Sequence, residues 1–199
     1  MKILTSLRRI FSIIYNQFKI RFYSFFGEYE ARVLNKKKSI MKPFSKRFNQ
    51  FIEDWFEANK DKFKVYPKSQ FNFDNIEETF KLFTDHYREF NTIPMWYDDN
   101  TDNIFADTTI NAKFRAWHDY THIFLGADFT LQGEIEVYKY QSMLLPLDWE
   151  FERKLMYCEI VKQAEFYTNG GKRIKNQRKF TKKYLNYEET SKLYKNKKQ

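Results

Sequence analysis

The sequence predicts an all-α protein, with a compact body of five to six helices over residues 44–168 between extended basic arms at 1–43 and 169–199. Three observations predict it. Gly (5) and Pro (4) are scarce among 199 residues, which disfavours the many turns of a β-sandwich or barrel. Apolar residues, drawn largely from 22 Phe and 14 Tyr, recur at three- and four-residue spacing in one segment after another. Capping residues stand where those runs begin and end. The one cysteine, Cys158, excludes an internal disulfide framework and a Cys-rich zinc or iron–sulfur site.

The formal charge is +9, and it is unevenly distributed. Residues 1–47 hold 12 Lys/Arg against Glu28 and Glu30, residues 48–171 hold 12 basic and 22 acidic residues, and residues 172–199 hold 11 basic residues against Glu188 and Glu189. An acidic body therefore lies between two basic arms. Such arms seek phosphate, anionic lipid or an acidic protein face, or keep an aromatic-rich chain soluble.

In the first arm Ile3, Leu7, Ile10, Ile14, Phe18, Phe22 and Phe25 recur at helical spacing. Arg8, Arg9, Lys19 and Arg21 interrupt the stretch too often for a membrane span or a secretory signal. An amphipathic helix docked on a protein partner, or lying on an anionic membrane through residues 2–26, fits it. Lys36, Lys37 and Lys38 close that helix, and residues 39–43 bound the arm. A helix follows with Phe44, Phe48, Phe51, Trp55 and Phe56 inward. Residues 64–70, with Pro67, read as a loop. Asp74 with Glu77 resembles a capping box for a helix that turns Phe80, Phe83, Tyr87 and Phe90 inward and stops near residues 91–94. Residues 97–107 are a polar loop.

Asp107 or Thr108 caps the next helix, and Gly126 ends it. Two of the three histidines, His118 and His122, stand four apart on it, so both imidazoles share a face, with Cβ atoms about 6 Å apart. That spacing lets two nitrogens meet one ion, as in helical H-E-x-x-H zinc sites. Here the second position is Asp119, a shorter general base than Glu. Gly126 then turns the chain, and Asp128 or Thr130 caps a returning helix. On it Glu134, Tyr138 and Gln141 share a face that an antiparallel return brings past the histidines. Glu134 is the leading third ligand, with Glu136 and Asp128 as substitutes. Two histidines and a carboxylate suit zinc or iron. The competing reading has no ion: neutral buried histidines bonded to Glu134 or Gln141 would hold two helices in register. His86 reads as structural.

The last long helix runs from about Leu147 to Tyr167. Asp148 caps it, Leu147, Phe151, Leu155, Cys158 and Val161 face inward, and residues 169–171 (Asn-Gly-Gly) end it. Glu159 and Glu165 read as solvated rather than as ligands. The tail interleaves Lys172, Arg173, Lys175, Arg178, Lys179, Lys182 and Lys183 with Phe180, Tyr184 and Tyr187. Aromatic rings among cations can stack on bases while the charges follow phosphate, and the same mixture suits a protein partner.

The phrase from Phe114 through His118, Asp119 and His122, then Gly126-Ala-Asp128-Phe129, Gly133-Glu134 and Gln141, resembles a stretch found in proteins of tailed bacteriophages. In composition and layout the chain is similar to auxiliary virion proteins at the portal vertex of crAss-like phages. The resemblance implies a non-enzymatic structural protein of the virion, assembled in the host cytoplasm into a homo-oligomer or hetero-assembly. Its basic arms would hold neighbouring subunits or packaged nucleic acid. The residues themselves leave two alternatives: a metal-dependent hydrolase with His118, His122 and Glu134 as ligands and Asp119 as base, and a peripheral membrane protein. The cofactor expectation is accordingly none, or one zinc or iron ion.

Overall fold

A computed structural model of the chain describes residues 41–66, 76–97, 102–172 and 174–196. The first arm, with the stripe from Ile3 to Phe25 and Arg8, Arg9, Lys36, Lys37 and Lys38, lies outside the described residues. So do the expected cap Asp74 and the tail residue Arg173. In chain order the elements are α1 (Lys46–Ala58), β1 (Phe63–Val65), α2 (Ile76–Phe90), β2 (Ile93–Met95), α3 (Thr108–Leu125), α4 (Leu131–Met143) and α5 (Glu150–Tyr157). A π-helical segment (Cys158–Lys162), α6 (Gln163–Thr168) and α7 (Gln177–Asn196) complete them. The expected all-α class is what the structure has. No helix among the described residues is long and apolar enough to cross a membrane.

Helix α1 begins where the Ser45 hydroxyl accepts a hydrogen bond from the Phe48 amide. Its i, i+4, i+8 residues Phe48, Ile52 and Phe56 are buried, while Phe44, Phe51 and Trp55 lean on the core from its edge. Trp117 of α3 lies at the centre of that core, with its ring 5.3 Å from Trp55, 5.6 Å from Phe51 and 6.2 Å from Phe114. The aromatic composition is thus used as interlocking tilted rings rather than as scattered surface groups. Glu152 of α5 is buried against α1, taking Ser45 Oγ at 2.6 Å and the Arg47 fork at 2.9 and 2.7 Å. A buried carboxylate is tolerated when its lone pairs are occupied by a bidentate guanidinium in this way.

Five expectations need correction. Residues 64 and 65, expected in a loop, belong to strand β1, paired in parallel with β2 in the register Phe63↔Ile93, Lys64↔Pro94, Val65↔Met95. Parallel strands need a long crossover, which α2 provides. Pro94 is accommodated because each strand of a two-stranded ribbon is an edge. Phe90, expected inward, is 45% exposed. Helix α2 instead packs through Phe83, and Phe90 closes over the His86 ring at its end. His86 is structural as expected, joining Tyr66 Oη at 2.8 Å to the Thr92 carbonyl at 2.7 Å.

The other three corrections concern the last long helix. It starts at Glu150 without a side-chain cap from Asp148, and Leu147 and Phe151 are exposed. The reason is the π segment. One α-helical stripe cannot bury Leu155, Met156, Cys158, Ile160 and Val161 together, yet all five are buried. Widening the turn at Cys158–Lys162 inserts one residue into the helix and carries the apolar face across it. The same shift turns Glu159 inward, where it accepts from Thr181 Oγ1 at 3.0 Å and Gln163 Nε2 at 2.9 Å.

The tail opens as a helix fastened to the body. The Arg178 amide donates to the Asp102 carbonyl at 3.0 Å. Its guanidinium reaches the Lys42 and Asn103 carbonyls at 2.9 and 3.1 Å and covers the Phe44 ring at 4.5 Å. Thr181 is fully buried.

Candidate metal centre

Asp107 caps α3, its carboxylate accepting from the Thr109 and Ile110 amides at 2.8 and 3.2 Å. Gly126 ends the helix at φ +66°, a left-handed conformation that favours glycine. Between these caps, His118 and His122 project together towards α4. The connection is short because Asp128 accepts from the Thr130 amide and hydroxyl, and Thr130 Oγ1 in turn accepts from the Gly133 amide. A Cβ on Gly133 would stand 1.9 Å from the Asp128 carbonyl oxygen. Only glycine lets the first turn of α4 lie this close, and the next residue is Glu134. We expect Gly133→Ala to destabilise the fold by about 1–3 kcal/mol through this forced displacement. Urea denaturation of the variant beside the wild type would check the figure.

The three side chains meet. His118 Nε2 and His122 Nε2 are 3.1 Å apart, and Glu134 Oε2 lies 3.2 Å from the first and 3.4 Å from the second. His122 is fully buried, and His118 and Glu134 have side chains about 15% exposed. Among the described residues this is the one such group of histidines and acids. The substitutes stay outside it: Glu136 is exposed and bonded to Gln132, and Asp128 is occupied by Thr130.

The protons decide what this triangle can be. His122 Nδ1 faces the Ala127 carbonyl at 3.0 Å. A carbonyl only accepts, so the neutral ring carries its proton on Nδ1 and presents a lone pair at Nε2. That lone pair faces His118 Nε2 and a carboxylate oxygen that is buried without a hydrogen-bond donor. Neutral histidines leave at most one proton, on His118, for three converging acceptor atoms. With both rings neutral, the arrangement is therefore short of donors as an ion-free clasp. As a ligand set it is complete: four ligands about 2.0–2.1 Å from a tetrahedral zinc stand about 3.3 Å apart, and the three edges here match one face of that tetrahedron. The Ala127 carbonyl plays the outer-shell part that fixes a ligating imidazole's tautomer.

The charges agree. Burial opposes ionisation of Glu134, but the two imidazoles outweigh it and hold the carboxyl down at about 2. Burial likewise opposes protonation of His118, and the Glu134 carboxylate, with Asp119 behind it, raises the ring above its ordinary value. Asp119 is pushed up to about 6 by burial, against the pull of His118, His122 and Arg115.

His118, Asp119 and Glu134 form part of the wall of a cavity of about 640 Å³, whose other walls come from α2, the end of β2, the start of α4 and α6. His122 lies behind it. Two of the three candidate ligands, His118 and Glu134, therefore face that cavity. The three expected ligands and the expected base are thus brought to one place. Phe129, whose ring packs 4.5 Å from His122, and the walls supplied by Phe83, Trp96 and Tyr167 carry no signal in the sequence beyond their apolar character. Of the basic residues expected to bind a partner, Arg178 is spent on the body, while Lys172, Lys175, Lys179, Lys182 and Lys183 are on the surface. No family model, curated protein or solved structure matches this chain.

Proposed function

We propose that the protein is a hydrolase dependent on one divalent metal ion, zinc or iron, held by His118, His122 and Glu134, with Asp119 moving the proton. The observation that carries this reading is the triangle of three candidate ligand atoms with edges of 3.1, 3.2 and 3.4 Å, two of whose residues, His118 and Glu134, line a cavity. Three protein ligands and one open position are the pattern of catalytic rather than structural zinc. The metal would polarise the scissile bond and make bound water acidic enough to attack near neutral pH. Elemental analysis of purified protein tests it. The wild type should carry about one equivalent of metal and the His118→Ala/His122→Ala double variant less than about a tenth, with hydrolysis lost in parallel. Metal or activity retained in the double variant would overturn the reading.

A second reading, an auxiliary virion component, is supported by the row of exposed lysines on α7 and the acidic body. Its test is reversal of Lys179, Lys182 and Lys183 to Glu, three exposed positions. Particle assembly should fail while the body keeps its Tm. Normal assembly of the reversed protein would rule it out. Deletion from residue 172 is a poor substitute, since it removes Arg178 and Thr181 from the core.

A further inference from the structure

The lining of the cavity narrows the substrate class. We propose that the site cleaves a carboxylic amide or ester whose reactive carbonyl is flanked by an aromatic or branched apolar group, in a substrate bearing no negative charge near that bond. The inference rests on the metal reading above and concerns what the cavity admits.

One wall is apolar: Phe83 and Trp96 from the α2–β2 side, Phe129 and Leu131 from the approach to α4, and Tyr167 from α6. The charged groups are all acids, Glu77, Asp119 and Glu134, and no Lys or Arg is among the described lining residues. The Arg115 guanidinium, which pulls on Asp119, is not among the lining residues. It donates to the Trp96 carbonyl at 3.1 Å and lies 5.1 Å over the Trp96 ring. The start of α4 offers little to an anion either, since its Thr130 and Gly133 amides are taken by Asp128 and the Thr130 hydroxyl.

A divalent ion balanced by Glu134 and Asp119 leaves roughly no net positive charge for a phosphate or carboxylate group to meet. Phosphoryl transfer spreads charge over several oxygens and draws on Arg, Lys or a second metal to hold them. Acyl transfer develops negative charge on one oxygen, which one metal can stabilise. The step balances without any oxidant or further cofactor. Water adds its oxygen to the carbonyl carbon, and one of its protons passes to the Asp119 carboxylate. The C–N or C–O bond then breaks, and that proton leaves on the amine or alcohol. The products are a carboxylic acid and an amine or alcohol.

The test holds the metal-binding group constant and varies the rest. Zinc-loaded full-length protein is titrated calorimetrically with acetohydroxamate and with benzohydroxamates carrying a para-aminomethyl, para-methyl or para-carboxyl group. The aryl compounds should bind roughly tenfold more tightly than acetohydroxamate, and the carboxyl compound roughly tenfold more weakly than the aminomethyl one. Trp96→Ala should reduce the aryl advantage several-fold and leave acetohydroxamate unchanged. Equal binding of the cationic and anionic compounds, or no gain from the ring, overturns the assignment while metal binding stands. Failure of the protein to take up zinc removes both readings, and the elemental analysis identifies that case independently.

Discussion

If His118, His122 and Glu134 hold a metal ion as proposed, stripping it should lower the melting temperature by roughly 5–10 °C, and Glu134→Gln should abolish that response. An ion bound only by the folded state at a hundredfold excess over its Kd adds about 2.7 kcal/mol. For a chain of this size each kcal/mol moves Tm by about 2–4 °C. The informative comparison is between the two metal-free proteins. In the wild type the lone pair of His122 Nε2 faces a carboxylate oxygen 3.4 Å away, acceptor against acceptor. The Gln amide nitrogen can donate to that lone pair, so the metal-free variant should be as stable as the metal-free wild type, or more so. An ion-free helix clasp predicts the reverse: no effect of chelator, and a loss of about 1–3 kcal/mol on removing the carboxylate. Differential scanning fluorimetry with and without a chelator distinguishes the two in one experiment.

The second large effect is on pH dependence. Burial pushes Glu159 up to about 7, only partly offset by the hydrogen bonds from Thr181 and Gln163. Its ordinary value is 4.5, so between these limits the folded state holds a proton that the unfolded state has released. Stability must then fall as pH rises from about 4.5, with the cost complete above about 7. The magnitude is on the order of 3 kcal/mol. Glu159→Gln keeps the side-chain shape and removes the titration. Urea midpoints of variant and wild type should be similar near pH 5 and should separate in favour of the variant by pH 8. Taking the difference between the two proteins cancels the contributions of His118 and Asp119, both raised from their ordinary values. Parallel curves across that range would show that Glu159 is not desolvated in solution.

Much of the site was legible in the sequence because it depends on local rules. The spacing of His118 and His122 fixes a shared face, Asp107 and Gly126 fix the length of α3, and the short turn through Thr130 forces an antiparallel return. Together they place Glu134. What the sequence hid depends on long-range choices. Strands of three residues are too short to show a period of two, so β1 and β2 left no pattern. The π segment adds a single residue, and sequence periodicity cannot distinguish that from an irregular stripe. Glu159 therefore read as solvated, and Leu147 and Phe151 as buried. Charge counting cannot tell which cation of a basic run will reach a carbonyl, which is why Arg178 looked equivalent to its neighbours. The cavity walls from α2 and α6 are remote in the chain and are brought together only by packing.

The widened turn at Cys158–Lys162 acts as a gear between two halves of one rod. Each residue advances an α-helix by about 100°, so deleting a single residue there would rotate everything beyond it by that angle. Tyr167 and its neighbours Ala164 and Thr168 would swing away from the cavity they line, and Thr181 would lose the carboxylate that fastens α7. One codon thus sets the phase between the half of the helix that builds the core and the half that closes the pocket. A relative lacking that residue would have to rebuild both the far wall and the seat of its basic helix.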